Sequence, residues 1–283
     1  MATARCTWTA VSGVDGYNVY LKSNGTFVKQ NSELITDTVY DIENLEEGNY
    51  EAYATSVLNS VESDASNVKG FEVGVAFEVT DFSEYADTAA FLQEWQHVSS
   101  ERTDAYISDS DITPEFGTKT LSMPAGSGGG SDQEILIWSE KGQYADGEIL
   151  ALIRTGAADS ANTINIAFRA SDTAKTFYRV GLLHSNNSIV LSRVQNGSNT
   201  AIATLSLSST NNTWYWVRVS FAGTSIKAKA WALGASEPDW RIEETDSNLA
   251  NGYVGLRVFS LSTSFNRFCD YFAVSNGETI PVP

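Results

Sequence analysis

The chain is expected to be all-β and built from two sandwiches, on three observations. Short runs of alternating apolar and polar residues recur along most of its 283 residues, separated by turns rich in Gly, Asn and Ser. Apolar residues make up 42% and aromatics 11%, with Val, Ile, Tyr, Phe and Thr prominent and only 5 Pro, a composition suited to pleated, half-buried strands. The length also exceeds the usual size of one domain, so two cores are expected.

Residues 1–75 hold the runs ARCTWTAV, GYNVYLK, TFVKQ, NYEAYATSV and ASNVKGFEV, broken by SGVDG, SNG and EEG. That spacing is the pattern of a small antiparallel sandwich. Cys6 and Trp8 on one strand face, GYNVY at 16–20, LEEGNYEAYAT with Leu45, Gly48 and Tyr50, and ESDASNV at 62–68 together resemble a fibronectin type III domain. The resemblance implies a tyrosine corner at Tyr50, although the interval from Leu45 is one residue shorter than the commonest spacing. It also implies that the chain begins on the second strand of that fold, with strand A missing. The edge so exposed is expected to be an assembly contact, its missing strand supplied by another chain.

The pattern changes hands through GFEVGVAFEV without a Pro- or Ser-rich linker, so a short, stiff junction is expected near 70–78. Beyond it, strands are expected at 134–139, 147–154, 163–169, 177–183, 188–194, 200–206, 214–221, 225–232 and 252–258, closing on RFCDYFAVS. DTAAFLQEW at 87–95 reads as one short helical stretch, and AGSGGGSD at 125–132 as a flexible loop lacking the Lys and helix of a phosphate-binding loop. If FAGTSI turns through Gly223 and Thr224 in a Gly-first hairpin, the register follows. Phe221, Val219 and Val217 then face Ile226, Ala228 and Ala230 toward the core. Ser220 meets Lys227, Arg218 meets Lys229 and Trp216 meets Trp231 on the opposite face.

NTWYWVRVSFAGTSIKAKAW, SEPDWRIEETD, GYVGLRVFS and NRFCDYFAVSNG resemble the concanavalin A-like jelly roll, a larger β-sandwich shared by lectins, laminin G modules and glucanases. The likeness spans residues 76–283 and leans toward bacteriophage structural proteins and large bacterial surface proteins. Fold alone does not assign function.

The formal charge is −17, shared as 4 basic against 11 acidic groups over 1–75 and 14 against 24 over 76–283. No basic stripe exists to displace counterions from phosphates, so nucleic acid and anionic membranes are not expected partners. Cys6 and Cys269 stand near opposite ends of the chain, and no disulfide is expected between them. MATARCTWTA lacks the pattern of a secretory signal, and no run of apolar residues is long enough to span a bilayer, so no membrane insertion is expected.

Glycosidases need two carboxylates flanking the scissile bond. Glu134 and Glu140 in EILIWSE have the wrong spacing, and Asp146 and Glu148 in DGEILALIR are followed only by apolar residues. All four read as strand-edge charges. The only two histidines, His97 and His184, adjoin no nucleophile motif and read as surface or interfacial. No catalytic residue is expected, and no cofactor beyond a structural calcium. The resemblance implies that ion, because Asp270 in FCDYFAV matches an aspartate that ligates calcium in many jelly rolls, with Asp81 in VTDF on the neighbouring strand; the alternative is that Asp270 is satisfied by an ion pair with Arg267 or by backbone amides.

For carbohydrate, the residues singled out are Trp216 and Trp231 with Arg218 and Lys229. An aromatic pair beside cationic donors suits a polar ring, and it also suits plain cross-strand packing with Glu243 or Glu244 neutralising the cations. Trp240 has no orientation fixed by pattern. The functional expectation is a non-enzymatic bacteriophage virion surface protein, a head decoration or a tail or fibre component. It would be present in several copies, dock onto other virion proteins through its first domain and adhere weakly to glycans. The competing class is a secreted bacterial carbohydrate-binding module or an accessory protein of a glycan-active enzyme.

Overall fold

The computed structural model describes residues 2–23, 25–46, 48–73, 77–98, 103–124, 133–155, 164–173, 175–259 and 266–283. The loop at 125–132 and part of the 70–78 junction lie outside the described residues. Two compact units are present, Met1–Val75 and Ala76–Pro283. The fold class is all-β, and every ladder among the described residues is antiparallel.

The smaller unit contains β1 (Ala2–Thr7), β2 (Gly16–Lys22), β3 (Val28–Lys29), β4 (Val39–Leu45), β5 (Gly48–Leu58), β6 (Val61–Glu62) and β7 (Lys69–Val73). β1 and β4 form one sheet; the other runs β3-β2-β5-β6, with β7 also on β5. Val19, Leu21, Ile42, Leu45, Tyr50 and Ala52 make the core between them. The Tyr50 hydroxyl donates to the Glu46 carbonyl at 2.9 Å, tying the start of β5 to the turn before it. β4 is missing from the strands expected of the sequence. Its acidic residues disguise it, yet Asp41 pairs with Arg5 of β1 across the ladder. Among the described residues β1 bonds only to β4, and beside it lies a groove of about 850 Å³ lined by Cys6, Trp8, Tyr17, Ala54 and Phe71 among others.

The larger unit contains β8 (Phe77–Thr80), α1 (Thr88–Glu94), β9 (Trp95–His97), β10 (Tyr106–Ser108), β11 (Thr120–Met123), β12 (Gln133–Trp138), β13 (Gly147–Thr155) and β14 (Asn165–Ala170). It continues through β15 (Phe177–Leu183), β16 (Ser188–Gln195), β17 (Ser198–Ser206), β18 (Trp214–Ala222), β19 (Ser225–Ala232), β20 (Ile242–Thr245), β21 (Tyr253–Phe259) and β22 (Arg267–Ser275). α1 starts where the Asp87 carboxylate accepts from the Ala90 amide, and it buries Phe91. An eight-stranded sheet runs β10-β11-β22-β13-β18-β19-β20, with β8 also on β22. A seven-stranded sheet runs β17-β16-β15-β14-β21-β12-β9. The main core lies between them, with Ile149, Val217, Phe221 and Phe272 from one sheet meeting Leu136, Phe168, Tyr178 and Leu256 from the other.

A bulge in β14 turns Arg169 into the left-handed region, with φ +47. The buried guanidinium donates to the carbonyls of Ala145, Gly223 and Leu249 at 2.6 to 2.9 Å, joining three loops. Gly252 packs against this bulge, where an added Cβ would sit 2.4 Å from the Arg169 carbonyl carbon.

His184, expected at the surface or an interface, is half-buried, its Nδ1 2.7 Å from the Ser209 hydroxyl. Burial holds it below the ordinary histidine range, as it does His97. A depressed histidine contributes stability that is present above its unfolded value near 6.5 and is lost as pH falls. The melting temperature is therefore expected to drop between pH 7 and pH 5, and His184→Asn to shrink that drop. Thermal unfolding across that range checks it, and an identical drop in the variant would contradict the assignment.

Candidate functional site

The register of β18 with β19 pairs Trp216 with Trp231, Arg218 with Lys229 and Ser220 with Lys227, while Val217, Val219 and Phe221 face the core. Gly223 at φ +53 makes the turn. The face bearing the tryptophans is not open, however. Trp216 is 2% and Trp231 6% exposed, their ring centroids 6.5 Å apart. Leu150 and Leu152 of β13 and Tyr271 of β22 flank them on the same face, and Ile280 of the C-terminal segment and Phe116 of the 109–119 loop join them in one buried cluster. This corrects the expectation of an outward aromatic surface: the sheet face points away from the main core and buries itself in a second one.

The cations on that face are also spent. Arg218 is 2% exposed, pairs with Glu148 and sits 2.7 Å from Glu237, and it donates to the Ile280 carbonyl. Glu148 in turn accepts from the Ile280 amide, so the pair latches the C-terminal segment. Lys229 lies 2.8 Å from Glu237 and 4.4 Å from the centre of the Trp240 ring. Glu237, reaching in from the turn after β19, and Glu148 neutralise the cations. Glu243 instead pairs with Lys227. Two cations directly opposed on a sheet need a carboxylate between them, and the turn supplied it from outside the ladder.

Glu134 and Glu148 are therefore not strand-edge charges. Glu134 is buried and accepts from the Ala105 amide at 2.8 Å, with His97 Nδ1 3.4 Å away.

Asp270 is buried on β22, where its Oδ2 accepts from the amides of Glu115 and Phe116 at 2.7 and 2.9 Å. Its Oδ1 is buried without a hydrogen-bond partner. Burial, reinforced by the charges of Glu115 and Asp81 against the two amides, pushes its carboxyl up to about 6. Asp81 accepts from the Ser83 amide and packs on Gly117, where a Cβ would come 2.5 Å from its Oδ2. Among the described residues no group of three Asp, Glu, His or Cys clusters here. Two carboxylates, one with an orphaned oxygen, fit a hard cation whose other ligands are backbone carbonyls and water.

The outward face of the seven-stranded sheet holds what sequence reasoning missed. Side chains alternate along β14 and β15, so Ile166, Phe168, Tyr178 and Val180 enter the main core while Asn165, Ala167, Phe177 and Arg179 face away. Pairing places Ser192 opposite Arg179, and Gly181 and Arg257 on either side of Asn165. Arg179 Nη1 donates to Asn165 Oδ1 at 2.6 Å, and its other nitrogens approach Asn199 Oδ1 at 3.2 and 3.3 Å. Gly181 leaves room for the Asn165 amide, which a Cβ there would meet at 2.7 Å. Arg257 lies 5.9 Å from the Phe177 ring centre. The available signal was one arginine in each of two apolar strands, FYRVGLL and YVGLRVF.

No family model and no curated protein matches this chain. Solved structures do resemble it. The carbohydrate-binding module CBM66 from Bacillus subtilis is 17% identical with a TM-score of 0.47, covering 62% of this chain and 91% of that one. The exoplasmic/lumenal domain of VIP36, in a form bound to Ca2+ and Man3GlcNAc, is 11% identical with a TM-score of 0.48, covering 73% and 93%. The GH43 protein BlXynB from Bacillus licheniformis is 11% identical with a TM-score of 0.47, covering 81% of this chain and 51% of its own.

Removing one member of the buried pair leaves the other charge unpaired. Arg218→Met is expected to cost about 3 kcal/mol or more, and adding Glu148→Gln to recover part of that loss. Urea denaturation of the single and double variants measures both.

Proposed function

We propose that this chain is a non-catalytic glycan-binding protein whose larger unit takes sugar on the outward face of its seven-stranded sheet. The observation that carries this is the part of that face that reaches the surface, where half-buried Arg179 is steered by buried Asn165 toward exposed Asn199 and keeps two N–H groups for a further acceptor. Planar guanidinium and amide groups match the paired hydroxyls of a sugar. The non-catalytic reading is supported by Glu134 and Glu148, both committed to structural partners. Display in many copies on a virion, with the smaller unit docked, is the finer part of the proposal. The unpaired edge of β1 and its groove support such a docking contact, and repetition would multiply weak sugar contacts through effective concentration.

A glycan array probed with the full chain, with hits quantified by calorimetry, tests the site. Asn199→Ala is expected to weaken binding about fivefold, the worth of roughly one hydrogen bond, and Trp216→Phe to leave it unchanged. Loss in the Trp216 variant with full retention in the Asn199 variant would move the site to the other sheet.

The proposal includes a structural calcium held by Asp270 and Asp81, resting on the orphaned Asp270 Oδ1. Millimolar Ca2+ is expected to raise the melting temperature of the wild type by a few degrees, and that of Asp270→Asn by none. An equal rise in both would remove the site.

A further inference from the structure

We infer that two copies of this chain pair edge to edge through β17, joining their seven-stranded sheets into one continuous sheet. The inference rests on that sheet edge and stands apart from the glycan-binding reading above.

The edge itself supplies the first argument. β17 ends its sheet and runs for 9 residues, SNTAIATLS, with no charged residue and no proline. Among the described residues its backbone ladder is with β16 alone. A sheet edge is ordinarily guarded by shortness, charge or proline, because its open N–H and C=O groups will template another strand. The other outer strands keep to that rule. β3, β6, β9 and β10 are two or three residues long, and β1, β4, β7, β8 and β20 each carry an Arg, Lys, Asp or Glu. β17 is long, uncharged and free of proline at once.

The second argument is that the strand is held ready to pair. Ile202 and Ala203 pack on the main core, while 198–201 and 204–206 are exposed, Leu205 at 39%. The Leu207 amide donates to the Asn187 carbonyl before β16 at 2.7 Å. Backbone groups alternate in direction along a strand, so the Thr204 amide points away from β16 toward the open edge. A bulge leaves Ile202 as the extra residue of the ladder with β16. A twofold axis at Ile202 sets 198–201 of one copy against 203–206 of the other, antiparallel. Arg241 donates to the Ser206 carbonyl at 2.6 Å and covers that end alone.

Charge selects a second copy as the occupant. The chain carries a formal charge of −17, yet no charged residue occurs from 194 to 217, the stretch that contains β17. A basic strand would find no carboxylate on β17, and an acidic one would meet only the repulsion of the rest of the chain. An identical uncharged strand suits it best. Pairing about a twofold axis uses each edge once, so assembly closes at two chains. The axis stands perpendicular to the joined sheet, so the outward faces of both copies lie on the same side.

The test is sedimentation equilibrium of the full chain at protomer concentrations up to about 100 μM. The wild type is expected to reach twice the 30.7 kDa mass of one chain, and to associate more tightly at about 0.5 M than at about 0.05 M NaCl, because salt screens the repulsion between two acidic copies. Thr204→Pro removes an N–H aimed at the open edge and spares the ladder with β16. Checked for native folding by circular dichroism, it is expected to weaken dimerisation about tenfold or more. Amide exchange on the wild type gives a readout that needs no variant: exchange at Thr204 is expected to slow as concentration rises. A wild type that stays monomeric throughout overturns the inference. So does a dimer that persists undiminished in natively folded Thr204→Pro, or a Thr204 amide whose exchange ignores concentration.

Discussion

Burial of the eight-stranded sheet on both of its faces is the constraint from which most of the larger unit follows. One face meets the seven-stranded sheet, and the other meets a second apolar cluster under the C-terminal segment and the 109–119 loop. A strand inside such a layer has no solvent side, which is why β13 and β22 read as nearly unbroken apolar runs. Any charge placed there must bring its partner with it. Arg218 and Glu148 do so, and the peptide group of Ile280 completes their hydrogen bonds. The same rule makes the tryptophan pair a packing element.

The parts of this structure that obey local rules were legible in the sequence. Alternation and the Gly223 turn were enough to pair Trp216 with Trp231 and Arg218 with Lys229, because a two-residue hairpin loop leaves no freedom of register. What covers that pair was not legible. Phe116 and Ile280 lie 164 residues apart in sequence, and nothing in a strand's own pattern says which distant segment returns to it. Glu237 was missed for a related reason: it neutralises the cations from a turn, where strand periodicity makes no statement. β4 was missed because polar residues suit a strand whose outward side chains are solvated and paired, as Asp41 is with Arg5.

Arg218 and Arg179, on the two sheets of the larger unit, are held by different partners. On the eight-stranded sheet the guanidinium of Arg218 is closed off by carboxylates and backbone. On the seven-stranded sheet Arg179 donates to the amide oxygens of Asn165 and Asn199, which fix its orientation, and among the described residues no carboxylate pairs with it. A side chain so held has already given up its rotamer freedom to the fold. Asn165, accommodated by the missing side chain of Gly181, is the support that makes this orientation possible.

Arg169 carries a different consequence, one for the evolution of the chain. Its backbone stands in a conformation that Gly or Asn would adopt with less strain, while its side chain spans three separate carbonyls that no shorter group reaches. The two demands select different residues. Gly or Asn would relieve the backbone and release the carbonyls of Ala145, Gly223 and Leu249, so the three loops are held together at the cost of a strained residue.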